Sequence, residues 1–156
     1  MPHPTYINGS WKDVRNQMFA KAVEEVNIGK NVLIIDTLNC LNVHHIAFAK
    51  ENQQEVFRKI FVVRIEKPYD LLYRIATAEK FIREKRIRTV FITSLTAPFS
   101  FATKDEVRPL ITHLKRRIEW LTEKYNLTTF IGVSPFEEET AMLAHDALKQ
   151  KSGEVK

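Results

Sequence analysis

The chain has 156 residues, 44% of them hydrophobic and 28% charged, with a formal net charge of +5 at pH 7. That balance describes a folded globular domain rather than a disordered chain, and the length suits a single core burying roughly two thirds of the unfolded surface. No apolar run approaches the ~20 residues of a membrane span, Met1-Pro2-His3-Pro4 does not begin a signal peptide, and the lone Cys40 excludes an internal disulfide and a cysteine zinc cluster, so a cytoplasmic protein is expected.

In chain order, residues 4–7 read as a short strand ahead of Gly9-Ser10-Trp11-Lys12-Asp13, where a loop passes into an amphipathic helix. Met18, Phe19, Ala22, Val23 and Val26 form its apolar stripe, and Gly29 is a plausible stop. Residues 32–36, 60–65, 89–93 and 128–133 are β-rich runs, almost continuously apolar as in strands buried on both faces. Leu71, Leu72, Ile75, Ala78 and Ile82 give a second helical stripe. Leu110, Ile111, Leu114, Ile118 and Leu121 give a third, with Lys115, Arg116 and Glu119 expected largely on its wet side. Ser134-Pro135-Phe136-Glu137 reads as a capping box opening a final acidic helix. Alternating strands and helices predict an α/β domain over residues 1–150, with a mostly parallel sheet covered on both faces and a polar tail at 151–156.

Candidate chemistry is sparse. Lys12 stands at a helix start, where it either meets an anion or is simply a solvated first-turn lysine beside Asp13. Asp36 ends a strand and serves either a site or its own loop. His44 and His45 diverge by ~100° on a helix and make a poor metal pair, and Cys40 has no nucleophilic partner in sequence. Lys115, Arg116 and Arg117 are candidate phosphate contacts within a mixed-charge helix. Phe99-Ser100-Phe101-Ala102 carries two phenylalanines and a Phe-x-x-Ala pattern in a loop, and Phe19 to Ala22 matches the same pattern within a helix.

The order of these motifs resembles the ATPase core of the RecA/RadA recombinase superfamily, in particular an archaeal RadA paralogue. A working P-loop in that superfamily is G-x-x-x-x-G-K-[ST], its glycines exposing backbone N–H groups to phosphate. Here Tyr6-Ile7-Asn8-Gly9-Ser10-Trp11-Lys12-Asp13 keeps the lysine alone, with Tyr6, Trp11 and Asp13 at the other defining positions. Val32-Leu33-Ile34-Ile35-Asp36-Thr37-Leu38-Asn39 is similar to the strand that ends in the catalytic glutamate, with Leu38 in its place. Thr89-Val90-Phe91-Ile92-Thr93-Ser94-Leu95-Thr96 is similar to the Walker B strand, with Thr93 where the metal-organising aspartate belongs. Residues 108–125 resemble the long helix after the first DNA-binding loop, and that loop, near 97–104, is short. The likeness covers residues 5–133 and lacks the family's N-terminal helical domain.

The resemblance implies a truncated RecA-like core whose nucleotide chemistry has been lost. Hydrolysis needs positioned phosphates, a metal and an oriented water, and the residues that would supply them are altered together. The expectation is therefore a pseudo-ATPase with no cofactor, no metal and no catalytic residues, its loop remnant Gly9, Ser10, Lys12 and Asp13 left without a nucleotide. Such a protein would scaffold or regulate DNA recombination and repair through a protein partner, either a RadA-type recombinase or paralogue or a second copy of itself. Phe99, Phe101 and Ala102 are the candidate contact. The alternatives are a weak single-stranded DNA-binding module and an ATPase with unorthodox motifs.

Overall fold

The structure, a computed structural model, describes residues 2–39, 58–95, 97–99 and 104–133. Strand β1 (Thr5–Asn8) leads into helix α1 (Trp11–Asn27) and strand β2 (Asn31–Asp36). Strand β3 (Ile60–Arg64) precedes helix α2 (Pro68–Glu84) and strand β4 (Ile87–Ile92). A 3-10 turn at Ala97–Phe99, helix α3 (Lys104–Lys124) and strand β5 (Thr128–Val133) complete the described elements.

The five strands form one sheet in the order β1-β5-β4-β2-β3, every pair parallel. The fold is therefore α/β with helices on both faces. Helix α1 covers one face through Val14, Met18, Ala22 and Val26, packed with Ile7, Val32, Ile34, Ile60, Phe91 and Phe130. Phe91 and Phe130 stack there at 5.1 Å. Helices α2 and α3 cover the other face over Leu33, Ile35, Val90, Ile92 and Ile131. Alternate strand residues thus go to opposite layers, and both layers are apolar, so the strands read as unbroken hydrophobic runs.

The helix ends follow from local sequence. After α1, Gly29 (φ +89°) accepts the left-handed position, its N–H donating to the Val26 carbonyl at 2.9 Å while Lys30 N–H reaches the Glu25 carbonyl at 3.1 Å. That is the Schellman pattern that closes the last turn. Asn126 (φ +50°) fills the same place after α3, with Leu127 N–H donating to the Thr122 carbonyl at 2.9 Å. At α2 the position falls to Arg86 (φ +51°), a residue with no special tolerance for it. The capping box at Ser134 and the tail at 151–156 lie outside the described residues, as do Cys40, His44 and His45.

Candidate functional site at the C-terminal rim of the sheet

Because all strands run the same way, the ends of β1, β2, β4 and β5 open on one rim, where α/β sheets present their functional loops. The loop after β1, the turn after β2 and the turn after β4 therefore share one edge of the molecule.

The first of these is closed on itself. Gly9 (φ +147°) turns the chain out of β1, and Ser10 caps α1. Ser10 Oγ accepts from Asp13 N–H at 3.2 Å and donates to Asp13 Oδ2 at 2.9 Å. The helix N-terminus, which would otherwise hold out N–H groups to an anion, thus has one donor already satisfied and a carboxylate at its positive end. A Cβ on Gly9 would come within 3.3 Å of the Asp13 side chain, so loop and carboxylate are close-set. Lys12 is exposed and lies 5.7 Å from the ring of Trp11, with the Arg15 guanidinium at 5.2 Å from the same ring. The lysine thus lies against the indole of its neighbour.

The second feature is a buried knot of hydroxyls joining β2 to β4. Thr93 is fully buried, and its Oγ1 accepts from Thr37 N–H at 2.8 Å. Thr37 Oγ1 donates to the Ser94 carbonyl at 2.5 Å and accepts from Ser94 N–H at 3.0 Å. The one proton of Thr93 Oγ1 has Asp36 Oδ1 (3.3 Å), the Ile35 carbonyl (3.4 Å) and Thr37 Oγ1 (3.2 Å) in reach. Asp36 is itself buried and accepts from Leu38 N–H at 3.2 Å. Its carboxylate therefore serves the turn that follows it. Leu38, half-buried, contributes its backbone to that turn and has no acidic group to orient water.

Gly132 on β5 completes the closure. A Cβ there would fall 2.0 Å from the Thr93 carbonyl oxygen and 2.6 Å from Val14 Cγ1. Strand β5 and helix α1 are thus drawn tight against the knot, and only glycine fits. Neither the Thr37–Thr93–Ser94 network nor the role of Gly132 was foreseen from sequence. Gly132 gave the one available signal, a glycine inside a β-rich run. Among the described residues, no group of three His, Cys, Asp or Glu side chains is placed to hold a metal.

Three expected contacts need correction. Phe99 was expected to be offered to a partner but is fully buried, part of the same core layer as Leu95 and Val107. The 3-10 turn folds it inward, where its ring leaves water without needing a second protein. Phe101 and Ala102 lie outside the described residues. Lys115, expected on the wet side of α3, is 2% exposed. It stands four residues after Ile111 and three before Ile118, both core positions, so helical geometry carries it inward whatever its charge. Arg117 is already engaged, donating to the Ala76 carbonyl at 3.3 Å and meeting Glu79 at 3.6 Å. Arg116 alone of the three is exposed. With Lys115 buried and Arg117 held by Glu79 and the Ala76 carbonyl, the three do not act together as a phosphate-binding surface.

Compared with known proteins, the chain matches no protein-family model, and no curated protein matches it significantly in sequence. No helix among the described residues is long and apolar enough to cross a membrane.

Proposed function

We propose that this chain is a non-catalytic RecA/RadA-like protein, a pseudo-ATPase that scaffolds or regulates DNA recombination and repair complexes through a protein partner. The observation that carries this reading is the self-satisfied rim. Ser10 and Asp13 cap the helix start that would receive phosphate. Thr93, in the place of a metal-binding acid, is buried in hydrogen bonds between β2 and β4. Both substitutions have been absorbed into the structure, consistent with a fold kept for its surfaces after its chemistry was lost. The parallel sheet also agrees with the resemblance, since it brings the remnant loop, Leu38 and Thr93 to one edge.

The reading has two testable parts. Phosphate release from millimolar Mg·ATP should not exceed the protein-free rate; turnover abolished by Lys12→Ala would overturn the loss of chemistry. Co-sedimentation with a RadA-type recombinase should occur equally with and without nucleotide. Failure to associate with such a recombinase, or with a second copy of the chain, would overturn the accessory role. The single-stranded DNA alternative is weakened by the burial of Lys115 and the engagement of Arg117.

A further inference from the structure

The face that α2 and α3 turn away from the sheet carries an unusual amount of exposed aromatic surface. On α2, Leu71, Ile75, Ala78 and Ile82 enter the core. Tyr69, Tyr73, Ala76, Lys80 and Arg83 follow each other at three- and four-residue steps on the opposite side, all exposed. Tyr69 is 76% exposed and Tyr73 65%. Helix α3 lies alongside, fixed by Arg117 to the Ala76 carbonyl and by Lys124 to Glu79 at 2.6 Å. Between these anchors stands Trp120, 39% exposed, with the Arg117 guanidinium 4.3 Å and the Lys124 ammonium 4.5 Å from its ring centroid.

The two helices thus form one ridge on which aromatic rings alternate with Lys80, Arg83, Arg116, Arg117 and Lys124. The carboxylates within it are Glu79, held by Lys124, Arg117 and Tyr125, Glu84, 3.8 Å from Lys80, and the exposed Glu123, three residues after Trp120, so five cations stand against three carboxylates. Tyrosine, tryptophan and arginine together are the residues that anchor protein interfaces, giving large contact area at low entropic cost with donors at the rim. The excess of cations over carboxylates sets the sign of the partner.

We propose that this ridge docks an acidic segment of a protein partner, in which carboxylates alternate with apolar side chains. Spaced carboxylates would meet the exposed Arg83 and Arg116, while the apolar side chains cover Tyr69 and Tyr73. A nucleic acid fits less well. Trp120 already has two cations of its own chain at its ring, so it is not open to stack on a base. This inference does not rest on the absence of nucleotide chemistry argued above, and its readout is independent of ATP.

The full chain with Trp11→Phe leaves Trp120 as the sole tryptophan reporter. It is titrated with a synthetic peptide alternating Glu and Leu, with the same peptide carrying Gln for Glu, and with oligo-dT. A saturable change in Trp120 fluorescence is expected with the Glu peptide alone, weakening as salt rises. Tyr73→Ser and Arg83→Gln should each weaken it at least ten-fold with little change in melting temperature, since both side chains are exposed. No response to the Glu peptide, an equal response to the Gln peptide, or affinity unaffected by both substitutions would overturn the proposal. Tighter binding of oligo-dT would overturn it too, by making the ridge a nucleic-acid surface.

Discussion

Thr93 Oγ1 lies 3.3 Å from Asp36 Oδ1, and both residues are sealed from water. A hydroxyl suits that place because it can donate to a carboxylate, a carbonyl or a neighbouring hydroxyl while accepting the Thr37 N–H. A carboxylate does not. Thr93→Asp would set a second negative charge against Asp36 in a dry pocket and remove the acceptor geometry that Thr37 uses. The expected cost is about 3–5 kcal/mol, the range for an uncompensated buried charge, read as a fall in melting temperature with no Mg²⁺ dependence. A variant that melts like the parent and gains stability from Mg²⁺ would reveal a dormant metal site instead. Phe99 yields a comparable test. Phe99→Ala should cost about 3–5 kcal/mol, as for a buried aromatic ring, and leave the assembly state unaltered. Lost association at an unchanged melting temperature would restore Phe99 to an interface. At this scale the sequence was partly legible. Trp11, Asp13, Leu38 and Thr93 stood out against the motif the sequence resembles, but the partners of Thr93 did not, because Thr37 and Thr93 are 56 residues apart. Phe99 and Lys115 misled through residue type, since a loop phenylalanine and a helix lysine both suggest exposure.

Helices α2 and α3 are clasped by Glu79, which binds Lys124 at 2.6 Å, Arg117 at 3.6 Å and the Tyr125 hydroxyl. Hydrogen bonds from Lys124 and Tyr125 hold its carboxyl down at about 2, against an ordinary value of 4.5. A group with a lowered folded pKa stabilises the fold above its unfolded pKa and loses that contribution as pH falls. The clasp should therefore be intact above pH 4.5 and released progressively between about 4.5 and 2. Glu79→Gln should flatten the decline in melting temperature across that window; an unchanged acid slope would show that the clasp does not couple the helices. The elements themselves were largely legible. The run at 128–133 matches β5, whereas β4 begins at Ile87, two residues before the apolar run, because Ile87 is buried too. The third helical stripe named the core side of α3 through Ile111, Leu114, Ile118 and Leu121. Its flanks were misjudged where spacing and charge disagreed, and spacing won at Lys115.

At the scale of the whole molecule, a parallel sheet with, among the described residues, one helix on one face and two on the other follows from apolar strands alternating with amphipathic helices. Strand order was not legible, because it depends on pairing between distant segments. The net charge of +5, with Lys115 buried and Arg117 and Lys124 held by Glu79, predicts that any DNA binding is weak and falls steeply with salt, as counterion release requires. A sequence-selective complex that persists at high salt would contradict this. The central question is whether the rim receives a nucleotide, and thermal denaturation with and without millimolar Mg·ATP answers it most directly. A ligand at 100 times its Kd stabilises a fold by ~2.7 kcal/mol, a shift easily seen in a domain of this size. With Ser10 and Asp13 closing the helix start and Thr93 buried against Asp36, the melting temperature should not move. A clear upward shift with Mg·ATP, abolished by Lys12→Ala, would contradict the loss of nucleotide chemistry.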